Sequence, residues 1–182
     1  MATFNTITWT PLTPISSSNL QIMMDNTQYL KDTLTSYPLG VIAAGRCTAS
    51  FSGVSGTPSA IPGMACSGTI GTGRCIKVTW NIRSINPTTS NNVYQTYVTM
   101  GGTVIGRINV LASATAYGQG GGTGTCIVNN PTSGAYSFQA YIQAVAGTGT
   151  GSTPTGTATF EVGPDSYPIL VVEDIGPYVV GF

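Results

Sequence analysis

The chain has 182 residues and zero formal net charge, with six Lys and Arg residues, six Asp and Glu residues and no histidine. Its charged content of 7% lies far below the ~25% typical of globular proteins, so Thr, Ser, Asn, Gln and backbone groups must hydrate the surface. The scattered cations exclude a basic nucleic-acid interface, and the lack of histidine removes the commonest general base and metal ligand, so we predict no nucleic-acid partner, metal or cofactor.

The N-terminal segment is predicted to be an extended lead-in. Pro11 and Pro14 prevent a continuous helix there. The start MATFNTITW lacks the basic residues, apolar core and cleavage site of a signal peptide. No apolar stretch approaches the ~18 residues of a membrane-spanning helix. We therefore expect synthesis in the cytoplasm without membrane insertion.

A short amphipathic helix is predicted from Ser16 to Leu34, with a serine N-cap and a stop at Pro38 and Gly40. Such a helix is marginal in water when isolated, so it needs a partner: its own β domain, sister copies or a larger body. We predict that residues 1–36 form a lead-in with an anchoring or oligomerising helix. The predicted interface residues are Trp9, Leu20, Met23, Met24, Tyr29, Leu30 and Leu34.

Residues 37–182 have the pattern of one β domain. The segments RCIKVTWNIRSI and AYSFQAYIQAVAG alternate strongly between apolar and polar residues, and Gly101-Gly102 marks a hairpin between two further strands. Two Gly-rich stretches are predicted to be loops: 52–73, a long loop or short hairpin, and 117–125, a flexible loop. Frequent turns without strand–helix alternation predict a mainly β fold, namely an antiparallel β-sandwich of jelly-roll-like type with one short N-terminal α-helix.

The four cysteines are expected to be free, buried thiols, because the cytosol is reducing. Cys66 and Cys75 bracket SGTIGTGR, which could close as a hairpin and bring them together. A late disulfide between Cys66 and Cys75 is therefore the alternative. Zinc is disfavoured because the sequence has neither a Cys-x-x-Cys motif nor histidine.

The acidic residues give little basis for catalysis. A glycosidase needs two converging carboxylates, and only Glu161 with Glu173 or Asp174 could supply them from neighbouring strands. Structural roles, such as exposure, subunit contacts or pairing with Arg46, Arg83 or Arg107, explain these residues more simply. We predict that the protein is not an enzyme.

Strand-borne tyrosines are a candidate ligand surface. Tyr117, Tyr136 and Tyr141, with the Gly-rich loops, could line a groove for a sugar. Tyrosines on strands also pack in cores and at subunit interfaces, so both readings stay open.

Both ends of the chain resemble tailed-phage virion proteins. In that family a Trp-containing lead-in precedes a helix that ends near Asn-x-x-Tyr-Leu-Lys, and LVVEDIGP (170–177) resembles a common closing strand. The matching N-terminal residues are Trp9, Leu12, Ser16, Leu20, Asp25, Asn26, Tyr29, Leu30 and Lys31.

This resemblance implies a minor tail or fibre-like component, in which the helix trimerises or anchors the protein and the β-sandwich faces outward. We therefore expect a non-enzymatic virion protein that forms a homotrimer and contacts other virion proteins. Two alternatives remain: a capsid decoration or head-fibre protein that stabilises the shell, and a receptor module that binds host surface glycans.

Overall fold

The computed structural model describes residues 17–36, 38–87, 92–112, 120–147, 158–160 and 167–178. Its elements are α1 (Ser17–Ser36), β1 (Gly40–Arg46), β2 (Phe51–Val54), β3 (Ser59–Ile70), β4 (Arg74–Pro87), β5 (Asn92–Met100), β6 (Thr103–Ala112), β7 (Gly120–Asn129), β8 (Gly134–Gly147), β9 (Ala158–Phe160) and β10 (Ile169–Pro177). The predicted mainly β fold with one short helix is confirmed.

The chain divides into two compact units, Met1–Pro38 and Leu39–Phe182. The first contains α1, and the second contains all the described strands. The predicted roles of the two segments, with a boundary after residue 36, stay predictions.

The strands of the second unit form two antiparallel sheets. In the first sheet, β4 is the central strand. It pairs with β7 along one side and with β10 and then β9 along the other. β1 pairs with the outer side of β10, and β2 pairs with the outer side of β9. The second sheet has the order β3-β8-β5-β6. The pairs β5–β6, β4–β7, β3–β8 and β1–β10 are nested in sequence around the β5–β6 hairpin.

One hydrophobic core, to which both sheets contribute, lies between them, so the arrangement is sandwich-like. The alternation predicted for β4 and β8 is observed, because every second residue of each strand is buried. On β4 these are Ile76, Val78, Trp80 and Ile82, and on β8 they are Phe138, Ala140 and Ile142. A hydrogen bond from Trp80 Nε1 to Thr96 Oγ1 (3.1 Å) links β4 to β5 across the core. The jelly-roll connectivity stays a prediction.

The predicted β5–β6 hairpin is also observed. Gly101 and Gly102 have φ angles of 57° and 84°. Two consecutive positive φ values match the tight turn whose twist suits antiparallel strands. The Gly-Gly pair was therefore a reliable signal, because few other residues adopt this backbone geometry without strain.

The prediction of a long loop or short hairpin over 52–73 is wrong for its central part, which is a single strand, β3, paired with β8. Proline usually interrupts a strand because it lacks an N–H donor. Here Pro62 lies where the β3–β8 register shifts, between Ala60 and Ala65, so it removes no regular ladder bond. The Gln139 amide donates to the carbonyl oxygens of Ile61 and Met64, both at 3.2 Å, and thereby satisfies this bulge.

The prediction of a flexible loop over 117–125 is wrong from Gly120 onward, where β7 begins; residues 117–119 lie outside the described part of the chain. The glycines are needed because the Trp80 ring lies directly against the β7 backbone. A Cβ atom at Gly124 would lie 2.2 Å from Trp80 Cζ2, and one at Gly106 on β6 would lie 2.8 Å from Trp80 Cη2. Glycine in a strand here marks close packing and not flexibility.

Candidate functional site

The first candidate surface is the apolar face of α1. Leu20, Met23 and Leu30 are 50–51% exposed and Met24 is 65% exposed. These residues recur at helical spacing, so they share one broad side of the helix. The Thr27 hydroxyl lies on the same side but donates to the Met23 carbonyl oxygen at 2.8 Å, which satisfies it within the helix. We call Leu20, Met23, Met24 and Leu30 the helix face.

The other predicted interface residues do not all join the helix face. Tyr29 is partly buried, and its position nine residues after Leu20 turns it to the opposite side of the helix at 3.6 residues per turn. Leu34 lies within α1, but its side chain lies outside the described part of the structure, as does all of Trp9. No helix among the described residues is long and apolar enough to cross a membrane.

The second candidate surface is the outer side of the β3-β8-β5-β6 sheet. Tyr141 on β8 and Tyr97 on β5 are directly paired across the strands, and their rings stack with centroids 5.2 Å apart and planes 11° apart. The Arg107 guanidinium on β6 lies over the Tyr97 ring, 5.8 Å from its centroid. On the far side of Tyr141, the paired residue on β3 is the small, exposed Ala60.

A row of amides runs parallel to these rings, two residues farther along the strands. Gln143 Nε2 donates to Gln95 Oε1 at 3.2 Å, and Gln95 Nε2 donates to Asn109 Oδ1 at 3.3 Å. The four strands contain only one charged residue, Arg107. We call Tyr97, Tyr141, Arg107, Gln95, Gln143 and Asn109 the tyrosine face.

The three tyrosines predicted to bind a ligand are not brought together. Tyr141 belongs to the tyrosine face, but Tyr136 is on the opposite side of β8, where it packs against the core and donates its hydroxyl to the Thr132 carbonyl oxygen at 2.7 Å. Tyr117 lies outside the described residues. Sequence reasoning missed Gln95, Gln143 and Asn109 because only strand register aligns them.

Glu173 and Asp174 on β10 are both held in ion pairs, whereas Glu161 lies outside the described part of the chain. Glu173 points outward and contacts Lys77 (Oε2–Nζ, 2.8 Å), whereas Asp174 points inward and binds Arg74, with Nε 2.8 Å from Oδ2. Arg74 was not among the predicted partners. Its place in the same alternation as Ile76 and Val78 was the available signal that it faces the core.

The Arg74–Asp174 pair is almost completely buried, with side-chain exposures of 8% and 2%. Burial by itself would raise the pKa of the Asp174 carboxyl. The hydrogen bonds from Arg74 and from the backbone N–H groups of Gly176 and Leu39, together with the Arg74 charge, outweigh that effect and hold the pKa below its ordinary value. Asp174 is therefore a structural carboxylate and not a proton donor.

All four cysteines are free thiols. The hairpin expected to join Cys66 and Cys75 does not form, because β3 and β4 belong to different sheets. Burial raises the pKa of each thiol, and the nearby Asp174 charge adds to the effect at Cys75. A raised pKa keeps the groups as weakly nucleophilic thiols.

In the described ranges, no group of three or more His, Cys, Asp or Glu residues is placed to hold a metal ion. Comparison with protein-family models and with curated proteins found no match. The candidate surfaces are the helix face and the tyrosine face, and the side chains of both are suited to binding.

Proposed function

We propose that this protein is a non-enzymatic structural component of a phage virion, a homotrimeric minor tail or fibre-like protein displayed on the particle surface. The observation that carries the proposal is the half-exposed helix face. Large apolar side chains left in water favour association, because full burial of one Leu or Met is worth roughly 1.5–3 kcal/mol. About half of each side chain is still exposed, so burial of the four residues would contribute roughly 3–6 kcal/mol per copy to an assembly.

We also propose that the β unit is a jelly roll. Its support is the nesting of strand pairs around β5–β6, with successive pairs alternating between sheets: β5–β6 in the second, β4–β7 in the first, β3–β8 in the second and β1–β10 in the first. A long hairpin folded across two sheets in this way is the jelly-roll arrangement, which is common in viral capsid proteins and lectins. The short strands β2 and β9 are then insertions.

The low charge of the chain agrees with residence in an assembly. Surfaces poor in Lys and Glu lose less side-chain entropy when neighbours cover them, and interface centres are depleted in charged residues. The resemblance of both chain ends to tailed-phage virion proteins supports the same assignment.

Disrupting the helix face is expected to abolish association without unfolding the β unit. Light scattering of the purified full chain should give the mass of a trimer. The double variant Leu20→Asp/Met24→Asp should give a monomer, because two carboxylates would have to be buried without partners. Deletion of residues 1–36 should also give a monomer with an intact β unit, as judged by circular dichroism.

The control is Gln21→Lys, which adds a charge to α1 away from the helix face and keeps a favourable contact with Asp25, to which Gln21 donates a hydrogen bond at 2.8 Å. It should leave the oligomer intact. A monodisperse monomer for the wild-type protein, both alone and with virion proteins, would contradict the proposal. So would normal association after deletion of residues 1–36.

The alternative function for the same structure is that of a capsid decoration or head-fibre protein, located on the head and not on the tail. Copy number per virion separates the two roles. Hundreds of copies would favour decoration of the shell, whereas a few to a few tens would favour the tail.

A further inference from the structure

We propose that the tyrosine face is a binding site for a neutral carbohydrate. The sugar ring would stack on the open side of Tyr141, and its hydroxyls would bind Gln143, the member of the amide row on the same strand, whose amide Gln95 holds in place. The proposal concerns the β unit alone, so its failure leaves the proposed virion role untouched.

The aromatic stack has one open end. Tyr97 is covered on one side by Tyr141 and on the other by Arg107, since β8 and β6 flank β5 from opposite sides. Tyr141 is covered by Tyr97 on one side, and the residue paired with it on the other side is the small, exposed Ala60 of β3. The face of an aromatic ring carries negative potential, which attracts the weakly positive C–H groups on one side of a sugar ring. Arg107 and Tyr97 hold the Tyr141 ring in place for this contact.

The amide row supplies the hydrogen bonds. An amide offers two N–H donors and a carbonyl acceptor with two lone pairs, so one ladder bond at Gln143 and two at Gln95 do not exhaust their capacity. Sugar hydroxyls both donate and accept, and amides match them in both roles. Alternate residues on a strand are about 7 Å apart, so a sugar stacked on Tyr141 can also reach the Gln143 amide two residues along the same strand.

The distribution of charge and apolar surface selects the class of ligand. Arg107 lies two strands away from Tyr141, on the side opposite the open face, and these strands carry no acidic residue. No charge therefore lies beside the stacking surface, and the site favours a neutral molecule. A protein interface normally has an apolar centre and a polar rim. This surface has the reverse arrangement, because its centre consists of amides and tyrosines while the exposed Val104, Leu111 and Val145 lie toward the strand ends. A second protein copy is therefore the weaker fit.

The test is binding of the full chain to a printed array of neutral and charged oligosaccharides, followed by titration calorimetry with the best neutral glycan. We expect at least one neutral glycan to bind. Tyr141→Ala should weaken its affinity by roughly tenfold through loss of the stacking contact, whereas Tyr141→Phe should retain most of it. Gln95→Ala should also weaken binding, because it interrupts the amide row.

Tyr167→Ala is the matched control, because it removes another tyrosine that contacts an arginine, with Arg46 4.4 Å from the ring centroid. It should bind as the wild type does, and thermal unfolding will show whether each variant is folded. Absence of any neutral glycan ligand, binding of charged glycans alone, or unchanged affinity in a folded Tyr141→Ala protein would overturn the proposal. A change of oligomeric mass in Tyr141→Ala would overturn it too, since the face would then join copies of the chain.

Discussion

Replacing Gly124 with alanine is expected to lower the free energy of unfolding by about 3 kcal/mol or more, the upper range for overpacking a core. The added Cβ would lie 2.2 Å from Cζ2 and 2.3 Å from Cε2 of Trp80. The ring cannot easily retreat, because it is buried and its Nε1 is bonded to Thr96. Thermal unfolding should show a drop of roughly 10 °C in the melting temperature.

Two controls separate this clash from a general cost of adding a methyl group. Gly56→Ala should stay within about 0.5 kcal/mol of the wild type, because the nearest atom to its new Cβ is a carbonyl oxygen 3.8 Å away. Trp80→Phe removes the clashing ring atoms, so the double variant Gly124→Ala/Trp80→Phe should lose less stability than the sum of the single variants. Strict additivity would show that the ring does not restrict position 124.

Removing the charge of Asp174 is the second large expected effect. Asp174→Asn leaves the Arg74 guanidinium buried without its counter-ion, and breaking such a pair costs roughly 3–5 kcal/mol. Urea unfolding at neutral pH measures the loss. The pair joins the start of β4 to the end of β10, so we expect a cooperative loss of stability and not local fraying.

The same variant tests the pH dependence of folding. The folded-state pKa of Asp174 lies below its ordinary value of 3.8. The stability that the ionised Asp174 carboxylate contributes is therefore fully present above about pH 5, and it is lost as the pH falls through the folded-state pKa. The stability difference between wild type and Asp174→Asn should be constant from pH 7 to 5 and then shrink with further acidification.

Glu173→Gln is the matched control on the neighbouring residue. The Glu173–Lys77 pair is partly exposed, with side-chain exposures of 32% and 41%, so its loss should cost at most about 1 kcal/mol. If Asp174→Asn were no more damaging than Glu173→Gln, or if its stability fell with acid in parallel with the wild type, the buried pair would not have the assigned role.

Several elements were predictable because their signals are local. The buried alternation of β4 and β8 follows from side chains that point to opposite faces of a strand, and the β5–β6 turn follows from two glycines with positive φ. The apolar spacing of α1 likewise predicted exposed Leu and Met residues on one side. Each of these features depends on residues only a few positions apart.

The errors arose where a distant residue determines the local structure. Gly120–Thr125 has the composition of a loop but forms a strand that pairs with β4, where Gly124 leaves room for the Trp80 ring. Pro62 lies in a strand because Gln139 satisfies the bulge that contains it. The expected Cys66–Cys75 hairpin fails because each strand pairs with distant partners in a different sheet.

The amino-acid sequence alone established a mainly β chain with a short amphipathic helix, low charge and no histidine, because composition and short-range periodicity carry that information. The tertiary structure alone decided which side chains meet. Cross-strand register aligned Tyr97 with Tyr141 and Gln95 with Gln143, and it placed Arg74 against Asp174, one hundred residues away along the chain. Register depends on the packing of whole sheets against one core, so no local pattern could supply the tyrosine face or the buried ion pair.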